Sequence, residues 1–216
     1  MKAALIGLGS MGRNHYRTIK NNQDIDFVAV VEPNDELISD IDVKRYRNVD
    51  ELIENEKVDF AVIATPTSTH LDVSKKFLER GIHLLVEKPI ATKSKQVTQM
   101  DNLARKNNCK LVVGHVERFN PAIQAVLPHL KDHKIIHLEA SRFSGYPTRI
   151  TDVGVKLDLS IHDVDLMNLL TPSNIETCYS LDSNNAGEKD DDAVFIMKFY
   201  DGALATVRTS WLFPYR

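Results

Sequence analysis

The chain opens with a short apolar run that passes directly into three glycines. Ala3 to Ile6 is followed by Gly7-Leu8-Gly9-Ser10-Met11-Gly12, which has the G-x-G-x-x-G spacing. In a strand-turn-helix unit the first glycine permits the sharp turn, the second lets the backbone approach a pyrophosphate, and the third lets the helix pack closely on the strand. The start of that helix also presents N–H groups and the positive end of its dipole, which suit a phosphate group. This stretch therefore predicts an α/β fold with a phosphate site after its first strand.

A second apolar run ends in an acidic residue at the position expected of a dinucleotide site. Ile25 to Val31 precedes Glu32, which lies 20 positions after Gly12. A carboxylate there accepts a hydrogen bond from the 2′-hydroxyl of the adenosine ribose and repels the additional phosphate of NADP. We therefore predict NAD as the cofactor. NADP is the less favoured cofactor, and the basic cluster at residues 44–47 leaves it open. The alternative to a cofactor site is a glycine-rich turn in another kind of α/β protein.

The composition narrows the class of protein. The 216 residues are 43% hydrophobic and 26% charged, with a formal net charge of -3, and the basic residues are dispersed, so no nucleic-acid partner is expected. Cys109 and Cys178 lie far apart without metal or redox spacing, and no metal site is expected. No apolar run is long enough to span a bilayer, and no signal peptide precedes the first strand, so we expect a cytoplasmic protein without a membrane partner.

Strands and helices alternate along the first half of the chain. Strands are predicted over residues 58–64, 82–86 and 110–114, and helices over residues 11–21, 49–55, 69–80 and 94–107. This alternation predicts a doubly wound parallel sheet, whose ligands bind beyond the carboxyl ends of its strands. Besides the glycine turn and Glu32, those ends comprise Thr65 to Thr67, Glu87 to Pro89 and His115 to Arg118.

The pattern changes from residue 119 onward. Helices are predicted up to residue 130 and over 155–170, and strands over 135–143, 175–181, 193–200 and 203–211. Asp201-Gly202 between the last two strands is a strong hairpin signal. We predict an α+β domain with a mostly antiparallel sheet over residues 119–216, following a dinucleotide-binding domain over residues 1–118. The acidic segment 182–192 is predicted to be an exposed loop.

Two groups of polar residues could carry chemistry. Lys88 follows a predicted strand and could hold a substrate hydroxyl, or it could be a solvated loop lysine. Asp158, His162 and Asp165 share one face of a predicted helix that is apolar on both flanks, so this stripe must face a cavity or a set of partners. A histidine beside a carboxylate can exchange a proton near neutral pH. The alternatives are a capping role for Asp158 with a structural His162, or a metal site, which no second His or Cys pair supports.

Taken together, the motifs resemble the Gfo/Idh/MocA family of NAD(P)-dependent sugar oxidoreductases. They are the glycine motif, Glu87-Lys88-Pro89, the stretch from Gly114 to Pro121, and Asp158-x-x-x-His162. The resemblance covers nearly the whole chain and implies a Rossmann domain followed by a substrate domain. Residues 118–121 and 147–154 resemble the branch that oxidises UDP-N-acetylglucosamine-type nucleotide sugars at C3.

The resemblance implies that Lys88 and His162 are catalytic and that Asp158 positions the substrate. It also implies a cis peptide before Pro89. Our hypothesis is that the substrate hydroxyl loses its proton to His162, with Lys88 polarising the oxygen, while a hydride passes to NAD. Substrate contacts are predicted for Lys88, Arg118, Arg149, Asp158 and His162, with Arg142 as a further candidate and a structural role as the alternative for each arginine. Cofactor contacts are predicted for Gly7, Leu8, Gly9, Ser10, Met11, Gly12, Glu32, Thr65, Pro66, Thr67, His70, Glu87 and Lys88.

Two other functions share these residues. One is a dehydrogenase of another polyol such as an inositol, and the other is a non-catalytic NAD-binding partner protein. Members of the resembled family are longer, with further strands in the second domain, so we expect the second domain to be incomplete at its C-terminus, with an uncovered sheet edge. Because family members often associate through this sheet, we expect a homo-oligomer.

Overall fold

The computed structural model describes residues 1–130, 132–147, 150 and 152–213. The chain divides into two units, Met1–Gly114 and His115–Arg216. The predicted domain boundary after residue 118 stays a prediction. Within the described ranges, no helix is both long enough and apolar enough to cross a membrane.

The first unit is built on a parallel sheet. Its strands are β1 (Lys2–Ile6), β2 (Asp26–Val31), β3 (Lys44–Tyr46), β4 (Phe60–Ile63), β5 (His83–Glu87) and β6 (Leu111–Gly114). Its helices are α1 (Ser10–Lys20), α2 (Val49–Asn55), α3 (His70–Leu78) and α4 (Ser94–Lys106). The strand order is β3-β2-β1-β4-β5-β6, with every pair parallel. This is the predicted doubly wound sheet.

Burial on both faces of this sheet explains why its central strands are apolar. Along β1, Ala4 and Ile6 belong to one buried cluster, whereas Ala3 and Leu5 belong to a second cluster. Because successive side chains of a strand point to opposite faces, each cluster covers one face. The central strands of this sheet therefore contribute apolar side chains to both faces.

The second unit combines helices with a four-stranded sheet. Its strands are β7 (His137–Phe143), β8 (Ile175–Ser183), β9 (Asp192–Phe199) and β10 (Leu204–Ser210), and its helices are α5 (Pro121–Leu130), α6 (Val155–Asp158) and α7 (Ser160–Leu170). The order is β7-β10-β9-β8, in which β8-β9 and β9-β10 are antiparallel and β7-β10 is parallel. The predicted mostly antiparallel sheet is therefore confirmed. Met167 of α7 packs against Met197, Phe199 and Val207, which are buried on one face of the sheet.

Two local predictions for this unit are wrong in part. The single helix predicted over residues 155–170 is interrupted at Leu159, whose carbonyl accepts the His162 N–H (3.2 Å) in a tighter, three-residue turn. The acidic segment 182–192 is not wholly an exposed loop, because Asp191 is completely buried and accepts the N–H groups of Asn185 and Ala186 (2.7 and 2.6 Å). Burial raises the pKa of Asp191, but these donors outweigh it and leave the pKa below its usual value.

Candidate functional site

The turn after β1 has the conformation that the glycine motif predicts. Gly7 has a φ of +94°, and a Cβ atom there would lie 2.8 Å from the carbonyl oxygen of Ala64. A Cβ atom on Gly12 would overlap the carbonyl oxygen of Gly7, so α1 can begin this close to the strand only without a side chain at that position. A Cβ atom on Gly9, by contrast, meets nothing within 4 Å. The turn therefore leaves space where a pyrophosphate binds in dinucleotide sites of this kind.

The start of α1 adds hydrogen-bond donors to this space. The backbone at Gly9 is extended (φ −62°, ψ −169°), and the helix begins at Ser10. The N–H groups of the first helical turn, including those of Ser10 and Met11, point out of the helix end, where the dipole favours an anion. The predicted phosphate cradle thus fits a dinucleotide cofactor.

Glu32 lies at the carboxyl end of β2 and is only 6% exposed. Its Oε2 accepts the N–H of Leu8 (2.8 Å), and its Oε1 accepts the N–H of Asn34 (2.9 Å). The carboxylate is thereby fixed against the glycine turn, and each oxygen retains a lone pair with which to accept a further hydrogen bond. This geometry suits a ribose hydroxyl.

The glycine turn and Glu32 border a cleft of about 580 Å³, a volume within the range of small-molecule sites. Among its lining residues are Gly7, Gly9, Glu32, Thr65 and Pro66, all of them predicted cofactor contacts. Thr67 is buried in the short turn that precedes α3.

His70 is buried and bonds to two loops of the first unit. Its Nε2 lies 2.9 Å from the carbonyl oxygen of Thr65, and its Nδ1 lies 3.1 Å from that of Pro89. The ring therefore links the loop after β4 to the loop after β5.

Glu87 and Lys88 occupy the end of β5. Oε1 of the buried Glu87 lies 2.6 Å from Nε2 of His15, and Oε2 accepts the N–H of Lys88 (3.2 Å). A Cβ atom on Gly114 would lie 3.1 Å from this carboxylate, so the glycine at the end of β6 gives Glu87 its space. The Lys88-Pro89 peptide is cis, as predicted. Sequence reasoning missed His15, although its position three residues after Gly12 places it on the same side of α1.

In the second unit, Asp158 ends α6 and His162 lies in the first turn of α7. Asp158 is buried and His162 is half-buried. Asp190 fixes the start of α6, since its carbonyl accepts the N–H of Val155 (2.8 Å) and its Oδ2 accepts the N–H of Lys156 (2.8 Å). One residue of the acidic segment thus caps the helix that carries Asp158.

Two of the arginines predicted as candidate substrate contacts pair with carboxylates of α7. Arg118 binds Asp165 through Nε and Nη2 (2.8 and 2.6 Å), and Arg142 binds Asp163 through the same two atoms (2.8 and 2.9 Å). These hydrogen bonds raise the pKa of both guanidinium groups. Asp165, predicted to share a stripe with Asp158 and His162, is therefore the counter-ion of Arg118. Arg149 lies outside the described residues.

Glu117 is an acidic residue of this unit whose pKa is affected by the charge of His162. Its Oε2 accepts a hydrogen bond from Nδ2 of Asn120 (3.0 Å), and its Oε1 lies 3.3 Å from Nη1 of Arg142. The Asn120 hydrogen bond, followed by the charges of Arg142 and His162, lowers the pKa of Glu117. An ionised carboxylate near an imidazole favours its protonated form, as a proton acceptor requires. Sequence reasoning named Glu117 only as part of a motif, because its proximity to His162 depends on the fold.

Two family models together match most of the chain. A model described as "Oxidoreductase family, NAD-binding Rossmann fold" matches residues 1–115, and the GFO/IDH/MocA C-terminal domain matches residues 129–216. Among the described residues, no group of three or more His, Cys, Asp or Glu side chains is arranged to hold a metal ion.

Individual relatives span both units. A UDP-N-acetylglucosamine 3-dehydrogenase of Acidithiobacillus ferrooxidans is 30% identical over 213 residues, covering 97% of this chain and 67% of the relative. An inositol 2-dehydrogenase of Rhizobium meliloti is 28% identical over 180 residues, covering 79% of this chain and 54% of the relative.

Solved structures agree with the fold. That of the Acidithiobacillus ferrooxidans dehydrogenase, GnnA, superposes with a TM-score of 0.88 at 29% identity and covers 99% of this chain and 70% of its own. GenD2 from gentamicin A biosynthesis, solved in complex with NAD, superposes with a TM-score of 0.92 at 22% identity, covering 100% of this chain and 67% of its own. At that identity the second match establishes the fold alone.

Proposed function

The chain belongs to the Gfo/Idh/MocA oxidoreductase family and carries its NAD-binding Rossmann domain, and from this premise we propose that it oxidises a secondary hydroxyl of a nucleotide sugar such as UDP-N-acetylglucosamine, at C3. One observation carries the proposed substrate class. The 30% identity to a UDP-N-acetylglucosamine 3-dehydrogenase extends over 97% of the chain. The whole reaction is assigned by proposal, since the chain spans 67% of that relative.

The first unit supplies the cofactor contacts in this proposal. The N–H groups at the start of α1 would bind the pyrophosphate, with Gly9 allowing its close approach. The Glu32 carboxylate, held by Leu8 and Asn34, would accept the ribose hydroxyl. Thr65 and Pro66 line the cleft itself, while the buried His70 holds their loop in place.

The chain's own residues would handle the proton and the hydroxyl oxygen. When bound, NAD accepts the hydride from the carbon that bears the hydroxyl group. The O–H proton passes to an imidazole nitrogen of His162, whose positive charge the ionised Glu117 stabilises. The Lys88 ammonium polarises the hydroxyl oxygen as the C=O bond forms, and Asp158 accepts a hydrogen bond from another substrate hydroxyl. The products are a keto sugar, the reduced cofactor and a proton on His162.

The test uses the purified protein with NAD and UDP-N-acetylglucosamine, followed by the absorbance of reduced nicotinamide. We expect His162→Ala to lower turnover by about 10²–10⁴-fold, the usual contribution of a general base, with NAD affinity kept. His129→Ala is the matched control, because His129 is an exposed histidine on α5 in the same unit. A His162→Ala variant that turns over at nearly the rate of the His129→Ala control would refute the proposed role.

A second candidate is oxidation of an inositol, favoured by the similarity to inositol 2-dehydrogenase over 79% of the chain. Replacing the nucleotide sugar by myo-inositol in the same assay separates the two substrates. Measurable NAD binding with no turnover of either would favour the remaining alternative, a non-catalytic partner protein.

We also infer self-association through the sheet of the second unit. On the face opposite the buried cluster, Tyr179 and Leu181 of β8 are each 63% exposed, and Ile196 of β9 is 55% exposed. Tyr179 pairs directly with Ile196, so these side chains form one apolar surface. A contiguous surface of this kind supports coverage by a second copy of the chain.

A further inference from the structure

Two arginines beside the cofactor cleft share one carboxylate. Nη1 of Arg45 lies 2.6 Å from Oδ1 of Asp35, and Nη2 of Arg47 lies 2.8 Å from Oδ2 of the same side chain. Arg45 is held further by a hydrogen bond from its Nε to the carbonyl oxygen of Glu32 (2.9 Å). Asp35 is therefore the common anion of both guanidinium groups.

This group of charges surrounds the end of β2, where the adenosine ribose binds in a Rossmann domain. Arg47 lines the same cleft as Glu32 and Pro33. Asp35 begins a short turn, Asp35–Leu37, directly after Asn34, whose N–H donates to the Glu32 carboxylate. The arginines are thus close to the position of the ribose 2′-oxygen.

The four charged side chains that meet at the end of β2 balance one another. Glu32 and Asp35 are acidic, and Arg45 and Arg47 are basic, so their formal charges sum to zero. Guanidinium groups are the side chains best suited to bind phosphate, because their planar fork can donate two parallel hydrogen bonds. A 2′-phosphate entering here would meet the Glu32 carboxylate and two guanidinium groups that are already bound.

We propose that Asp35 determines cofactor specificity by holding Arg45 and Arg47 in a shared ion pair, which denies both guanidinium groups to the 2′-phosphate of NADP. Glu32 and Asp35 then act together: Glu32 binds the 2′-hydroxyl and repels the phosphate, while Asp35 keeps the adjacent arginines from attracting it. Removing the Asp35 charge gives the region a net charge of about +1 and releases Arg47, which is 64% exposed and can turn toward the cleft.

Hydrogen bonds from Arg45 and then Arg47 lower the pKa of Asp35. Asp35 consequently stays ionised throughout the neutral range, so its negative charge faces both guanidinium groups at the pH of the assay.

The test is isothermal titration of the purified protein with NADPH and with NADH. We expect Asp35→Asn to raise the affinity for NADPH about tenfold, with the affinity for NADH changed by less than about threefold, as suits one or two exposed charge-assisted contacts. Adding Arg47→Ala to Asp35→Asn should return NADPH affinity toward the starting value. Asp101→Asn is the matched control, because it makes the same change in net charge and also removes the partner of an arginine, Arg105, on α4.

Each other outcome overturns the proposal. Unchanged NADPH affinity in Asp35→Asn would show that the arginines do not reach the phosphate. An equal loss of both cofactors would show that Asp35 only maintains the loop, and an equal gain in Asp101→Asn would show a general charge effect. The inference rests on the proposed cofactor site, but the titration contains no sugar, so it can fail or succeed independently of the proposed reaction.

Discussion

Replacing Arg142 by methionine should destabilise the second unit strongly, because it leaves a buried carboxylate without its counter-ion. The Asp163 side chain is 6% exposed, and Arg142 binds both of its oxygens. Nη1 of the same guanidinium group lies 3.3 Å from Glu117. Methionine preserves most of the aliphatic packing of Arg142 and removes the charge and the donors.

The expected loss depends on the burial of the pair. Removing one partner of a fully buried ion pair costs about 3–5 kcal/mol, whereas exposed pairs contribute less than about 1 kcal/mol. Arg142 is 31% exposed, so some solvent screening remains and we expect a loss of about 2–4 kcal/mol. With a urea dependence of about 2 kcal/mol per molar, the unfolding midpoint should fall by roughly 1–2 M.

The fluorescence of Trp211 reports on this unit. Trp211 is the single tryptophan of the chain and is buried with Val155 and Ala193. Arg142→Lys, which keeps the charge but not the two parallel N–H donors of the guanidinium group, should give an intermediate loss of unfolding free energy. Lys198→Ala, which removes an exposed pair with Glu176, should cost less than about 1 kcal/mol. If Arg142→Met shifts the midpoint no further than Lys198→Ala, the reasoning from burial is refuted.

Two further predictions concern the same unit. The pKa of Glu117 is lowered in the fold, so its ionised form stabilises the protein fully above the pKa of the unfolded state and this contribution disappears as the pH falls through the pKa of the folded state. Between about pH 5 and pH 3 the unsubstituted protein should therefore lose stability more steeply than Glu117→Gln, measured by Trp211 fluorescence in urea. Parallel pH profiles of the two proteins would contradict this. Ile196→Lys, on the exposed apolar face of the sheet, should reduce the mass measured by light scattering to that of a single chain, whereas Val126→Lys, an exposed apolar position on α5, should leave the assembly intact; the proposed interface is excluded if both variants keep the native mass.

The parts of the fold that were predicted correctly depend on signals close together in sequence. The glycine turn, the apolar strands and the Asp201-Gly202 hairpin each lie within a few residues, and each has one stable backbone solution. The interruption at Leu159 was missed because the apolar periodicity on both sides of it continues through the break. Burial of Asp191 was missed for a different reason, since composition alone does not reveal that backbone N–H groups of the same loop bind a carboxylate.

The residues of the candidate site likewise divide into those that local spacing predicts and those that only the fold brings together. Glu32 was predicted from its distance to the glycine motif, and it lines the cleft. The pair formed by His15 and Glu87, in contrast, joins residues 72 positions apart. Only the folded chain brings α1 next to the carboxyl end of β5. A motif can therefore identify which residues are unusual without showing which of them bind each other.

The sequence and the fold assign different roles to the two carboxylates of α7, Asp163 and Asp165. On the sequence, Asp165 shares a helical face with Asp158 and His162, and Asp163 does not. In the fold both acids bind arginines, from 47 and 21 residues away, and each arginine engages both oxygens of its acid. The donors of one arginine occupy both oxygens of each carboxylate, so these two acids serve as counter-ions within the fold. Arg142, which also approaches Glu117, therefore fixes Asp163 and helps to keep Glu117 ionised, so the proton of the proposed reaction is left to the imidazole of His162.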